Sequence, residues 1–148
     1  MRAQLLAAAA LVLTAGPAGA WTRPAHMVTA AIAFDQLERE APELIGPLGE
    51  LLDAHPDRGP FEVAIDRAEG TERIRRMFLE CARWPDDIRR TAQDRPAWHA
   101  SLAPLGPDAA GRAAHGAAAE AFALNYRVLA DPAATSAERA QALCWVLH

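Results

Sequence analysis

Three short stretches of the chain combine residue types that bind metal ions. They are residues 21–26 (WTRPAH), 84–90 (WPDDIRR) and 96–99 (PAWH). Imidazole nitrogens and carboxylate oxygens are zinc ligands, and an arginine beside them can bind a phosphate oxygen bidentately. Each stretch taken alone is equally well explained by a structural role. The tryptophan could pack in the core, the histidine could begin a helix, and the charged residues could form a salt-bridged loop. The chemistry therefore depends on whether the fold brings the three together.

The first stretch offers a chelate if the chain is cleaved before Trp21. A free α-amino group has a pKa of about 8, well below that of a lysine side chain, so it can donate to a metal near neutral pH. The amine and carbonyl of one residue form a five-membered chelate ring. His26 is close enough in sequence to complete the same site.

The sequence of residues 1–20 predicts such a cleavage, because it contains the three parts of a secretory signal peptide. Arg2 provides a positive start, residues 5–15 are an apolar run of eleven, and residues 18–20 (AGA) form a small-x-small cleavage site. Eleven apolar residues are too few to cross a bilayer. We therefore predict an exported protein, periplasmic or secreted, with residues 21–148 as the mature chain and no stable membrane association. An uncleaved anchor is the alternative.

Length and composition describe one globular domain. The chain has 148 residues, of which 51% are hydrophobic and 23% charged, so neither disorder nor a disulfide-dependent miniprotein is expected. The formal net charge of −4 argues against a protein that binds nucleic acid through a broad basic surface. Positive charge for a phosphate would have to be local.

The elements that must position these residues are all helices. Apolar residues recur at helical spacing, no stretch alternates convincingly as a strand, and Thr135 with Glu138 forms a capping box. Pro85 is expected to stop or bend its helix, residues 55–60 to form a turn-rich break, and residues 103–111 to form a loop. The fold class is all-α, with helices predicted at residues 26–40, 43–54, from Thr71, at 116–129 and from Thr135.

Four further residues carry weaker expectations. Cys81 and Cys144 would meet an oxidising compartment, where they could form one bridge or remain small buried residues. We favour the second alternative, and the lack of a CxxC motif excludes a cysteine zinc knuckle. His55 and His115 lack partners at ligand spacing and are expected on the solvated surface.

In order along the chain, these pieces resemble the single-strand-specific zinc-dependent nuclease family. This family (nuclease S-one/P-one type, including 3′-nucleotidases) shares its helical fold with zinc phospholipases C. The matching order is a tryptophan after a cleavage site, a histidine five residues later, WPDD, WH, and a late helix ending in Leu-His. The resemblance covers the mature chain but only the N-terminal half of a family member. It implies that residues 21–148 are the N-terminal part of a zinc-dependent nuclease domain, apparently truncated.

The resemblance also implies a ligand set. Trp21, through its amine and carbonyl, and His26 would bind one zinc ion, while Asp86, His99 and His148 would bind another. Ligands for the third zinc ion of the family's cluster have no counterpart in the chain. Asp86 would also orient the attacking water.

The implied activity is zinc-dependent hydrolysis of phosphodiesters in single-stranded DNA, RNA or nucleotides, with no obligate protein partner. Arg89 would stabilise charge on the phosphate, and Asp87 could replace or support Asp86. Ala100 and Leu102 stand where many members have a base-stacking aromatic residue and a base-binding aspartate. A zinc phospholipase C-like phosphodiesterase and an inactive helical binding or structural protein are the alternatives.

The isolated chain is expected to be inactive. Its last turn, at His148, has no C-cap and is expected to fray. The apolar faces at Phe34, Leu51, Phe78 and Leu143 are expected to lack part of their packing surface.

Overall fold

Helices dominate the computed structural model, which describes residues 22–102 and 115–148. The predicted signal peptide, Trp21 and the predicted loop at residues 103–111 lie outside the described residues, as does the side chain of His115. No helix in the described ranges is long and apolar enough to cross a membrane.

The all-α prediction is confirmed. Two 3₁₀ turns, Pro42–Leu44 and Pro96–His99, and a two-residue antiparallel pairing of Ser101–Leu102 with His115–Gly116 accompany the α-helices. The α-helices of the described ranges are α1 (Arg23–Glu40), α2 (Ile45–Asp53), α3 (Gly59–Ile65), α4 (Gly70–Asp87), α5 (Ala118–Ala130) and α6 (Ser136–Leu147).

The sequence predicts the start of a helix best where a capping box marks it. Thr135 Oγ1 accepts from the backbone N–H of Glu138 at 3.2 Å, and the Glu138 carboxylate accepts from the backbone N–H of Thr135 at 2.8 Å, as the capping box predicts. Helix α1 begins at Arg23 rather than His26, because Pro24 is already preorganised for a first turn. Local capping and proline geometry therefore set these two starts.

Helices α3 and α4 depart from the predicted boundaries. The predicted break at 55–60 ends at Arg58, and Gly59–Ile65 then forms a short helix that buries Phe61. Seven residues are too few to give a clear helical period. Helix α4 is preceded by Glu69 rather than capped by Thr71, and it continues through Pro85 to Asp87. Of the two predicted alternatives, a stop or a bend, the stop at Pro85 is excluded, and the buried Trp84 beside it packs into the core although Pro85 lacks a backbone N–H.

Helix α4 lies at the centre and packs against α1, α2, α3 and α6. The expectation of uncovered apolar faces is wrong for Phe34, Phe78 and Leu143, which are buried in one core cluster, while Leu51 packs partly buried against it. Helix α4 supplies side chains to several neighbours at once, whereas other large apolar side chains, such as Val63 on α3 and Phe122 on α5, are exposed.

The start of α5 is bonded directly to the Pro96–His99 turn. The backbone N–H of Ala117 donates to the Ala97 carbonyl at 2.6 Å, and that of Ala118 donates to Ala100 at 3.3 Å. Gly116 has a φ of +87°, and a Cβ there would overlap the Ala100 carbonyl oxygen. This close backbone approach holds the turn that carries His99.

Cys81 and Cys144 form a disulfide, so the favoured alternative of two unpaired buried cysteines is wrong. Their Cα atoms are 4.6 Å apart, within the usual range for a bridge. The sequence could not show this, because the two residues are 63 positions apart and meet only when α4 packs on α6.

The bridge should contribute measurably to stability. For a loop of this length the chain-entropy treatment gives about 4 kcal/mol, and measured native bridges give about 2–4 kcal/mol. We expect the double variant Cys81→Ser/Cys144→Ser to lose at least about 2 kcal/mol of unfolding free energy in urea titrations. Dithiothreitol should destabilise the wild type and leave the variant unchanged. Equal stability of oxidised and reduced wild type would contradict the prediction.

His55 is buried rather than solvated, with 1% of its surface exposed. Its ring packs against Phe61 and Trp84 at centroid distances of 4.9 and 4.7 Å, and its Nδ1 lies 3.1 Å from the backbone O and 3.2 Å from the backbone N of Asp57. The Asp57 carboxylate in turn accepts from Trp84 Nε1 at 3.0 Å. The turn-rich sequence gave no sign that α3 and α4 would enclose it.

This burial predicts a pH dependence of stability. Burial lowers the pKa of His55 below its usual value of 6.5 in the folded state. Below pH 6.5 the unfolded chain therefore binds protons that the folded protein excludes, so the unfolding free energy falls with decreasing pH. We expect His55→Phe to show a smaller loss between pH 7.5 and 5.5 than the wild type in urea titrations. An unchanged pH slope would contradict this origin.

Candidate metal centre

Four side chains from distant parts of the chain meet at one buried point. His26 is in the first turn of α1, Asp86 in the last turn of α4, His99 at the end of a 3₁₀ turn and His148 directly after α6. Their side chains are 8%, 10%, 8% and 5% exposed. The structure thus brings together four residues that the resemblance divides between two zinc ions, and it places His26 beside Asp86 and His148. Trp21 lies outside the described residues.

The distances within this cluster match a small cation. Asp86 Oδ2 is 3.8 Å from His26 Nε2, and Asp86 Oδ1 is 3.7 Å from His99 Nδ1 and 4.0 Å from His148 Nε2. One ligand atom each from His26, Asp86 and His148 lies within 4.8 Å of the others. Tetrahedral zinc with bonds of about 2.0–2.1 Å needs ligand separations near 3.3 Å, so only small closures are required.

The backbone fixes which nitrogen His148 presents. Its Nδ1 is 3.1 Å from the Ala82 carbonyl, which can only accept, so Nδ1 carries the hydrogen. The lone pair of Nε2 then faces Asp86 and His99. The backbone N–H of His148 donates to the Cys144 carbonyl at 3.1 Å, so the chain remains helical up to this residue. The expected fraying is therefore wrong for the folded structure.

A cation would resolve the electrostatics at this point. His148 Nε2 and His99 Nδ1 are 3.0 Å apart, and both lie near the Asp86 carboxylate. A cation bound here would be attracted to the carboxylate and to each ring nitrogen that presents a lone pair. Three imidazoles and one carboxylate are also a ligand set that zinc accepts. The donor chemistry of the site fits zinc.

His26 and His148 are neutral at physiological pH, as metal binding requires. Burial lowers the pKa of His148 to about 4, and the neighbouring His26 adds to this effect. Burial also lowers the pKa of His26, although the Asp86 charge opposes the shift. The rings of His26 and His148 stack with centroids 3.9 Å apart. Both nitrogen donors are therefore available to a cation without first losing a proton.

Arg89 lies at the edge of the cluster, with 54% of its side chain exposed. Its Nε donates to Asp86 Oδ1 at 2.8 Å and its Nη2 donates to His99 Nδ1 at 3.1 Å. The guanidinium therefore balances the Asp86 charge while extending toward solvent. It stands where a phosphate oxygen approaching the cluster from outside would find a positive charge.

The two adjacent aspartates separate into different roles. Asp87 bonds to Arg83 at 2.7 Å and to Arg23 at 2.9 Å, whereas Asp86 faces the histidines. Successive helical positions differ by about 100° around the axis, so the neighbours cannot share a face. This geometry favours Asp86 as the ligand, and Asp87 instead ties the end of α4 to the start of α1.

Two contacts of the site were missed by the sequence interpretation. Asp94 Oδ1 lies 3.3 Å from His99 Nε2, on the side of the ring away from Asp86, and the Ala82 carbonyl bonds to His148. Asp94 was visible as an acidic residue five positions before His99, but nothing marked it as a partner. A backbone carbonyl carries no sequence signal at all.

Comparison with protein-family models, curated proteins and solved structures finds no match for this chain.

The cluster predicts a specific loss of zinc affinity. Asp86→Asn removes the only described carboxylate that faces both His26 and His148, and we expect at least a 10-fold weaker zinc affinity in a chelator competition. Helix content by circular dichroism should stay near normal, because no large cavity is opened. Asp87→Asn is the matched control and should retain wild-type affinity. The opposite pattern would assign the ligand to Asp87.

Proposed function

We propose that this protein provides part of the active site of an exported zinc-dependent phosphodiesterase, an endonuclease or 3′-nucleotidase that hydrolyses single-stranded nucleic acid or nucleotides. The observation that carries the proposal is the convergence of His26, Asp86, His99 and His148 beneath the exposed Arg89. The resemblance contributes the reaction class and the contribution of Trp21. The activity is proposed for the complete enzyme that the resemblance implies.

Each residue of the cluster has a role that follows from its position. His26, Asp86, His99 and His148 would hold zinc, which when bound supplies Lewis acidity that activates water and offsets phosphate charge. Asp86 has two carboxylate oxygens facing different histidines, so one oxygen could orient the attacking water while the other binds zinc. Burial keeps bulk water from competing for these groups.

Arg89 is suited to bind the scissile phosphate. Its described bonds to Asp86 and His99 use one Nε and one Nη2 donor, which leaves further guanidinium N–H groups directed elsewhere. A guanidinium can offer two parallel hydrogen bonds to phosphate oxygens. Arg89 would therefore stabilise charge that develops on the phosphate, in a protein whose overall charge is negative.

Base recognition has no support near His99. Ala100 and Leu102 occupy the places where many family members carry an aromatic residue and an aspartate. An alanine cannot stack on a base, which forgoes about 1–3 kcal/mol of binding. We therefore propose hydrolysis with weak base selectivity. A zinc phospholipase C-like activity is the second candidate, favoured by this same departure.

The test uses the complete reading frame, exported so that any signal peptide is removed. We expect zinc-dependent cleavage of a single-stranded oligonucleotide, with little activity on phosphatidylcholine vesicles. Arg89→Gln should lower kcat for the oligonucleotide about 100-fold, the loss typical of removing one charge-stabilising donor, while zinc content stays at wild-type level. Arg76→Gln, which removes an exposed arginine paired with Glu72, is the control.

Each alternative gives a different result in the same assay. Hydrolysis of the vesicles without oligonucleotide cleavage would replace the nuclease proposal with the phospholipase candidate. Stoichiometric zinc binding with no hydrolysis of any phosphodiester would favour the inactive binding or structural protein. An Arg89→Gln enzyme with wild-type kcat would remove Arg89 from the proposed machinery.

A further inference from the structure

Asp94 lies directly behind His99, opposite the metal centre. Its Oδ1 is 3.3 Å from His99 Nε2, and only 12% of its side chain is exposed. Its other oxygen, Oδ2, accepts from the backbone N–H of Arg90 at 2.8 Å. The carboxylate thus bridges the loop after α4 and the histidine ring.

The loop that carries Asp94 is ordered by its own hydrogen bonds. Thr91 Oγ1 donates to the Ile88 carbonyl at 2.6 Å and accepts from the backbone N–H of Gln93 at 3.2 Å. The backbone N–H of Asp94 donates to the Thr91 carbonyl at 3.2 Å. Arg90 adopts a left-handed φ of +67°, which is costly for a residue with a Cβ. This conformation accompanies the Arg90 N–H that binds the Asp94 carboxylate.

The Asp94 contact determines which nitrogen of His99 carries hydrogen. An ionised carboxylate only accepts hydrogen bonds, so Nε2 must carry a hydrogen and donate it to Asp94. The lone pair then belongs to Nδ1, which faces Asp86 at 3.7 Å and His148 at 3.0 Å. The donation from Arg89 Nη2 to the same Nδ1 at 3.1 Å agrees with this assignment, and zinc would take the place of this donor when Nδ1 becomes a ligand.

We propose that Asp94 is a positioning residue that holds His99 as the Nε2–H tautomer and orients its ring, so that Nδ1 serves as the zinc ligand. This inference rests on the proposed metal centre. Carboxylates that accept from the distal nitrogen of a ligand histidine raise its basicity, and their loss typically weakens metal affinity 10- to 100-fold. Asp94 acts only through His99 and makes no contact with zinc.

The decisive variant is Asp94→Asn, whose amide can offer an N–H to Nε2 and thereby favour the other tautomer. We expect zinc affinity, measured by competition with a chelator on the mature protein, to fall 10- to 100-fold. In the zinc-free protein, ¹⁵N NMR of the His99 ring should shift from the Nε2–H to the Nδ1–H pattern. Asp94→Glu should restore part of the affinity. Asp131→Asn is the control, because asparagine can keep the side-chain bond that Asp131 makes to the backbone of Ala133.

The NMR measurement keeps this inference separate from the proposed function. Wild-type His99 in the Nδ1–H form, or Asp94→Asn with unchanged zinc affinity and tautomer, would overturn the role of Asp94. If Asp94→Asn does not fold, the wild-type tautomer alone decides. A wild type that fails to bind zinc yet shows the Asp94-dependent Nε2–H tautomer would overturn the metal centre, while leaving the positioning contact intact.

Discussion

The contact between α4 and α6 is the constraint on which the rest of this structure depends. The Cys81–Cys144 bridge joins the two helices, and one residue later the Ala82 carbonyl accepts from His148 Nδ1. The disulfide and the hydrogen bond together fix the position of the C-terminal end of α6 along α4. His148 consequently faces the last turn of α4, where Asp86 is located. Without this contact no local preference would bring residues 62 positions apart within 4 Å.

Burial gives the centre its chemical character. Three imidazoles and a carboxylate are costly to remove from water unless they are neutral or paired. Burial keeps His26 and His148 neutral by lowering their pKa values, and Arg89 balances the Asp86 charge from the exposed side. These groups can therefore be buried without a metal ion. A divalent cation would stabilise them further, because their lone pairs point toward one another. The same buried histidines and carboxylate therefore affect both the stability of the fold and its affinity for a metal ion.

Two adjacent aspartates at the end of α4 have different partners because they lie on different faces of the helix. Asp86 and Asp87 are adjacent and chemically identical, but Asp86 meets histidines while Asp87 meets Arg23 and Arg83. Pro85, which was expected to stop or bend the helix, lies inside it and is buried in this turn. The last turn of α4 therefore contributes both to the candidate metal centre and to the attachment of α1.

The sequence by itself determined the helical class, the capping box at Thr135 and the residue types at the centre. These are local properties, because helical periodicity, capping and ligand chemistry are expressed within a few residues. The resemblance carried by their order also predicted that Trp21, His26, Asp86, His99 and His148 bind zinc ions of one cluster.

Only the tertiary structure decided the disulfide, the burial of His55 and the contact of Asp94 with His99. Each depends on how separate elements pack, and packing depends on shape and burial summed over the whole core rather than on any short pattern. The local sequence around a cysteine, a turn histidine or a loop aspartate is the same whether or not another element packs against that residue. Their roles were therefore set by the neighbours that the fold supplied.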